Sequence, residues 1–226
     1  MSCSTICNGI FASILCIFML FDNASAQKYE EVKIGKQVWM KKNLDASTFR
    51  NGDTIYQAKN SSEWRTANQD KIPAFIYYEY DIENGKKYGK LYNWYAVNDT
   101  RGLAPKGYHI PKNTEWSELM DHLGGIETAG KKMKTSDGWK NHTEKNGTII
   151  KGNGDNSSGF TGLPAGVCAE SGTCGLGEIA GGWWAADEHS KRRAFVWMIA
   201  NTVDKCSKSD EGVEKYTGFS VRCIKD

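Results

Sequence analysis

The sequence predicts an α+β fold of mostly antiparallel strands and long loops, with one or two short helices. Three observations carry that expectation. Short runs of β-branched and aromatic residues recur between glycine-rich turns, and the segment after Pro111 shows a helical apolar stripe. The chain also holds 24 glycines against 4 prolines, with 8 tryptophans spread from Trp39 to Trp197, a mixture that describes a compact, loop-rich domain with an aromatic core.

Taken in order, residues 30–40 (EEVKIGKQVWM) read as a hairpin, with Gly35-Lys36 suited to a tight turn that places glycine first. Residues 74–94 are a second aromatic-rich extended region in which Asn84-Gly85 is a turn signal. Residues 91–97 (LYNWYAV) fit either helical spacing or a strand. After Pro111, Trp116, Leu119, Met120 and Leu123 fall at i, i+3, i+4 and i+7, one face of an amphipathic helix that Gly124-Gly125 ends. Asn113 is its expected N-cap, and Glu115 in the first turn suits the helix dipole. Residues 153–166 are a glycine-rich loop running into a short strand, and residues 181–188, 194–201 and 218–226 read as strands. No internal repeat or linker divides the chain, so residues 27–226 form one domain.

Residues 10–21 are a run of apolar or small residues too short to span a bilayer, followed by Ala24-Ser25-Ala26, the small-x-small pattern of a secretion signal cleaved before Gln27. The mature chain then has no transmembrane segment and is expected outside the cytoplasm: extracellular, at the cell surface or in the periplasm. Removing residues 1–26, whose sole charged side chain is Asp22, raises the net charge from +2 to +3. Bases and acids are interspersed, which argues against nucleic acid as a partner. Cysteine usage agrees with export, because the mature chain keeps an even set: Cys168, Cys174, Cys206 and Cys223. Four cysteines allow three connectivities. Pairing Cys168–Cys174 and Cys206–Cys223 requires the least chain rearrangement.

The order of motifs VWMKKNL (38–44), RNGDTI (50–55), YGKLYNWYAV (88–97), GLAPKGYHIPKNTEW (102–116), SSGFTGLPAG (157–166), GGWWAADE (181–188) and GFSVRCIKD (218–226) resembles the Fibrobacter succinogenes major paralogous domain. The resemblance runs over about residues 32–226. It implies an exported bacterial domain of the kind found in surface proteins and lipoproteins, with an undefined molecular role. More distantly, residues 107–116 followed by a tryptophan-containing strand and the closing GFSVRC look like the framework of C-type-lectin-like folds, which the formylglycine-generating enzymes share. That likeness implies a C-type-lectin-like fold. Two departures matter. Lys112 stands where those relatives usually carry a capping threonine, and Ala185-Ala186-Asp187 replaces a more polar Ser-Ser-Thr.

No catalytic constellation is legible. His109, His122, His142 and His189 are scattered, and His109 reads as structural. The Cys206/Cys223 pair offers an imitation of the formylglycine enzymes' reactive cysteines, but its setting suits a disulfide better. The chain is therefore read as non-catalytic and without a cofactor, with glycans or envelope proteins as partners. Trp183 and Trp184 are neighbours in a strand, so their rings point to opposite faces, one into the core and the other outward as a stacking platform. Asp187 and Glu188 follow them, and Asp155 lies in the glycine-rich loop. A calcium ion, which lectins hold with acidic and amide oxygens, would take Asn153, Asp155 and Asn156, although no Glu-Pro-Asn or Trp-Asn-Asp motif is present. The same residues also suit a plain turn.

Overall fold

The computed structural model describes residues 29–226, so the secretion signal assigned to residues 1–26 lies outside the described residues. The chain opens with a hairpin of β1 (Glu31–Ile34) and β2 (Gln37–Met40), joined through Gly35 at φ 61°. β3 (Tyr56–Gln57), α1 (Ser61–Gln69), β4 (Ala74–Ile76), α2 (Ile82–Tyr88), β5 (Leu91–Tyr92) and α3 (Trp94–Val97) follow. Then come β6 (Tyr108–His109), α4 (Asn113–His122) and α5 (Ile126–Met133), and an exposed hairpin of β7 (His142–Thr143) and β8 (Ile149–Ile150). β9 (Ala165–Cys168), β10 (Cys174–Gly177), β11 (Ala180–Glu188), β12 (Arg193–Ala200), β13 (Cys206–Lys208), β14 (Val213–Glu214) and β15 (Ile224–Lys225) complete the order.

Among the described residues the named strands pair antiparallel except β3 with β4, and two isolated bridges, Lys134 with Gly162 and Trp183 with Ser220, are also parallel. The first sheet runs β1-β2-β15-β6, so the strand nearest the carboxyl end lies between the amino-terminal hairpin and β6. A second sheet runs β11-β12-β13, with β14 also on β12. The predicted α+β class with mostly antiparallel strands therefore holds. Helix is more frequent than expected: the described residues hold five short α-helices and a 3-10 turn at Tyr78–Tyr80, not one or two helices.

The α4 stripe is as predicted, with Trp116, Leu119, Met120 and Leu123 all buried. Its cap is not. Lys112 takes the N-cap position, its backbone N–H donating to the Glu115 carboxylate at 2.8 Å. Asn113 is the first helical residue, and its N–H donates to Asp187 on β11. Asn84-Gly85 makes no hairpin turn but lies inside α2, which Asp81 caps by accepting from Glu83 N–H. A Cβ on Gly85 would lie 2.2 Å from the Tyr77 ring, so glycine is there for close packing. Residues 91–97 divide between a strand and a helix. Of residues 218–226, only Ile224–Lys225 form a strand, the stretch before them being tied by isolated bridges at Gly218, Phe219 and Ser220.

β11 explains the rest of the core. Ala180 to Ala185 are buried without interruption, because the strand is covered on both faces. Trp183 enters a cluster with Trp39, Trp116, Phe160 and Trp197, and Trp184 enters another with Tyr92, Trp94 and Phe219. Trp116 stacks on Trp197 with centroids 6.0 Å apart, and Phe160 meets Trp183 edge-on at 5.4 Å. Such contacts contribute about 0.5–1.5 kcal/mol each beyond area burial.

Cys168 and Cys174 form the expected disulfide across β9 and β10. The Cys206–Cys223 bond is absent. Cys206 belongs to the Trp116 cluster and Cys223 to the Trp184 cluster, so the two thiols lie in different parts of the core and both are fully buried.

Candidate functional site

Several of the motifs that make the sequence distinctive meet at one buried side chain. Arg222 has no exposed surface and, among the described residues, no carboxylate partner. Its guanidinium is satisfied by oxygens alone. Nε and Nη2 donate to Asn43 Oδ1 at 3.1 and 2.6 Å. Nη1 donates to the carbonyls of Met40, Lys41 and Phe160 at 3.0, 2.7 and 2.6 Å, and Nη2 also reaches that of Thr161 at 3.3 Å. Burial lowers its pKa to about 9, which leaves it charged at neutral pH. A buried charge costs several kcal/mol unless such bonds compensate it. Asn43 completes the network: its Oδ1 accepts from Trp183 Nε1 at 2.8 Å, and its Nδ2 donates to Tyr88 O and Ser220 Oγ. Thus WMKKNL, SSGFTG, GGWW and GFSVRC converge on a structural joint.

The residues predicted to form a site do not come together. Both tryptophans are fully buried, so the outward platform expected of Trp183 or Trp184 does not exist: a second core covers the face that alternation assigned to solvent. Asp187 is spent on the α4 N-terminus, and Glu188 pairs with Lys215, whose ammonium lies over the Trp94 ring. Asn153 accepts from Trp139 N–H at 2.9 Å, and Asp155 accepts from Ser157 N–H at 2.9 Å. Asn156 accepts from Thr161 N–H at 2.9 Å, which holds that β-branched residue at φ 57°. Among the described residues no three His, Cys, Asp or Glu side chains converge on a common metal position. The 153–156 segment is a loop brace. His109 is not alone, since Nδ1 lies 2.8 Å from Asp226 and Nε2 2.8 Å from Glu115. Partial burial opposes its charge, but the hydrogen bonds to Glu115 and Asp226 outweigh that and raise its pKa.

Open surface occurs elsewhere, around the loop of residues 97–105. Arg50 ties this loop down: its N–H donates to Gly102 O at 2.8 Å, Nε to Ala104 O at 3.0 Å and Nη2 to Tyr108 O at 2.9 Å. Arg101 grips Asp99 with two bonds of 2.8 and 2.9 Å, reaches Asp53 at 3.2 Å and lies 4.1 Å over the Phe49 ring. The Arg101 contact lowers the pKa of Asp99. Two clefts flank the loop. One, of about 470 Å³, is lined by Tyr29, Lys42, Asp45, Ser47, Thr48 and Arg50. The other, of about 610 Å³, is lined by Arg50, Leu103, Ile110, Lys112, Glu115 and Ala186. Arg50 and Leu103 belong to both.

The family model described as the Fibrobacter succinogenes major domain matches residues 32–225. The chain belongs to that family. Comparison with curated proteins finds no match, and neither does comparison with solved structures. In this Fibrobacter succinogenes major domain the motif residues Asn43, Trp183 and Arg222 hold the scaffold, while Arg50 and Lys112 border open surface. Sequence reasoning did not single out Arg50, which lines both clefts. A signal was available, because the chain has only six arginines against 23 lysines. Arg50, Arg101 and Arg222 each donate from two or more guanidinium nitrogens at once, in a fixed plane that a lysine ammonium would not match.

Proposed function

We propose that the domain is an exported, non-catalytic module of the bacterial cell envelope, which binds glycans, or failing that a protein partner, through the loop face of residues 45–53 and 97–105. The observation that carries this reading is the Arg50 tie: one side chain fixes the loop between two clefts, so the face is organised before any ligand arrives. Preorganisation of that kind lowers the entropy cost of binding. Each cleft falls within the range of about 300–1,000 Å³ common for small-ligand sites.

The C-type-lectin-like framework remains part of this proposal, supported by the antiparallel strands and by the pairing of β2 with β15. The reading of an enzyme on the formylglycine framework is disfavoured by Cys206 and Cys223. They lie in separate core clusters, and burial raises both thiol pKa values, that of Cys223 to about 12, whereas a reactive cysteine needs a lowered one. The test is binding of the mature 27–226 protein to a panel of plant and bacterial polysaccharides, with calcium and with a chelator. Saturable binding unaffected by chelator is the expected result, since Asn153, Asp155 and Asn156 are engaged with the chain. Binding abolished by chelator would restore a calcium site, and no binding to any glycan would leave a protein partner or a structural role.

A further inference from the structure

We infer that the cleft between the 97–105 loop and the start of α4 is a carboxylate subsite, and that the ligand it serves is an acidic polysaccharide carrying uronic-acid units. This deepens the glycan reading above and rests on it.

Two cations, Arg50 and Lys112, line this cleft. Arg50 spends Nε on Ala104 O, and Nη2 on Tyr108 O and, at 3.4 Å, Pro105 O, so the plane of its guanidinium is fixed by backbone. Among the described residues its Nη1 makes no hydrogen bond, and no carboxylate lies within ion-pair distance of the group. Arg101 and Arg193, by contrast, each hold a carboxylate. Lys112, which lines the same cleft, is exposed and likewise has no carboxylate partner among the described residues. The one acid in the lining, Glu115, is already used: Oε1 faces His109 and Oε2 accepts from Lys112 N–H. The cleft therefore presents positive charge that the protein does not neutralise itself.

The remaining lining selects the kind of anion. Leu103, Ile110 and Ala186 give an apolar wall, which suits the C–H face of a sugar ring better than a bare inorganic anion. Across Arg50 the second cleft adds the Ser47 and Thr48 hydroxyls and the Asp45 carboxylate, a polar and nearly charge-balanced lining fit for neutral hydroxyl groups. A linked chain of sugars with a carboxylate at Arg50 uses both clefts, and a single small acid uses one. An oriented arginine also favours a planar carboxylate through charge-assisted hydrogen bonds.

The test is calorimetric titration of the mature 27–226 protein with three probes: a galacturonic-acid oligosaccharide, its carboxyl-reduced counterpart, and poly-glutamate. The uronate oligosaccharide is expected to bind roughly tenfold or more tightly than the reduced one. Lys112→Gln keeps the backbone N–H that donates to Glu115 and removes only the exposed ammonium, so it is expected to weaken binding roughly threefold. Arg50→Lys should weaken it about tenfold, with thermal unfolding recorded alongside to separate a loosened loop from a lost contact. Equal binding of the reduced sugar overturns the subsite while leaving the glycan reading intact, and so does uronate binding indifferent to Lys112→Gln and Arg50→Lys. Poly-glutamate binding as tight as the uronate overturns the sugar as the ligand. Failure of both oligosaccharides alongside binding of other panel glycans overturns the uronate inference alone; failure of every glycan overturns both readings.

Discussion

Asn43 Oδ1 accepts two hydrogen bonds from the Arg222 guanidinium, at 2.6 and 3.1 Å, and a third from Trp183 Nε1. One carboxamide oxygen thus stands in for the counter-ion that a buried arginine would ordinarily demand. Replacing Arg222 by leucine removes the charge but strands Asn43 and the carbonyls of Met40, Lys41, Phe160 and Thr161 in the core. Leaving buried acceptors unpaired costs about 1–3 kcal/mol each before relaxation. Arg222→Leu is therefore expected to lose about 3 kcal/mol or more of stability in urea unfolding. A loss below about 1 kcal/mol would mean that the network is incidental.

The two adjacent tryptophans should behave as core residues. Trp183→Ala and Trp184→Ala are each expected to destabilise the fold by about 3–5 kcal/mol. Trp183→Phe should also cost stability, because it keeps most of the packing but forfeits the bond to Asn43. Thermal melts would read all three. A stable, well-folded Trp184→Ala that merely loses ligand binding would contradict the double burial of β11.

Thiol accessibility gives a direct count. In a protein of residues 27–226, Cys168 and Cys174 are bonded, and Cys206 and Cys223 are buried thiols whose pKa values burial raises. A thiol reagent at neutral pH should find essentially none in the native protein and two after denaturation. Two rapidly reacting native thiols, or none after denaturation, would each refute this arrangement.

His109 should make stability depend on pH. Its folded pKa is raised above 6.5 by hydrogen bonds to Glu115 and Asp226, which outweigh the opposing burial. The stability it contributes is therefore fully present below the unfolded value, and is lost as pH rises through the higher folded value. The melting temperatures of wild type and His109→Gln should differ more at about pH 6 than at about pH 9. A gap independent of pH would show that the imidazolium is not what holds Glu115 and Asp226 together.

Asp187 offers a smaller effect. Its carboxylate accepts from Asn113 N–H at the start of α4, so Asp187→Ala should cost about 1 kcal/mol, as loss of a cap does. Calcium should not change the melting temperature of either protein.

How much of this was legible in the sequence depended on the distance over which each signal acts. The Gly35 turn and the Trp116–Leu123 stripe are local, and both read correctly. The α4 cap did not, because its acceptor Asp187 lies 74 residues beyond Asn113 and no local pattern records it. Asn84-Gly85 misled for a related reason: the glycine answers to the Tyr77 ring packed against α2 rather than to a turn. Alternation correctly sent Trp183 and Trp184 to opposite faces, but a strand's own sequence does not say that a second core covers its other side. Cys206 and Cys223 read as a pair because they are near in sequence, whereas their side chains lie in different core clusters. Nothing local marks Arg50, because the carbonyls of Gly102, Ala104 and Tyr108 that it binds lie more than 50 residues away.

The position of β15 has a bearing on how the molecule comes to be folded. Lys225 on that strand meets Glu31 on β1, 194 residues away in sequence, and Arg222 just before it fastens residues 40–43. The first sheet is therefore closed by pairings that span nearly the whole domain, which cannot reward the chain until almost all of residues 31–225 have been gathered. A polypeptide emerging from its amino end, from a ribosome or through an export channel, presents the β1–β2 hairpin early and holds it without its central partner until the final segment arrives. The first sheet of this domain is completed only when β15 reaches its place between β2 and β6.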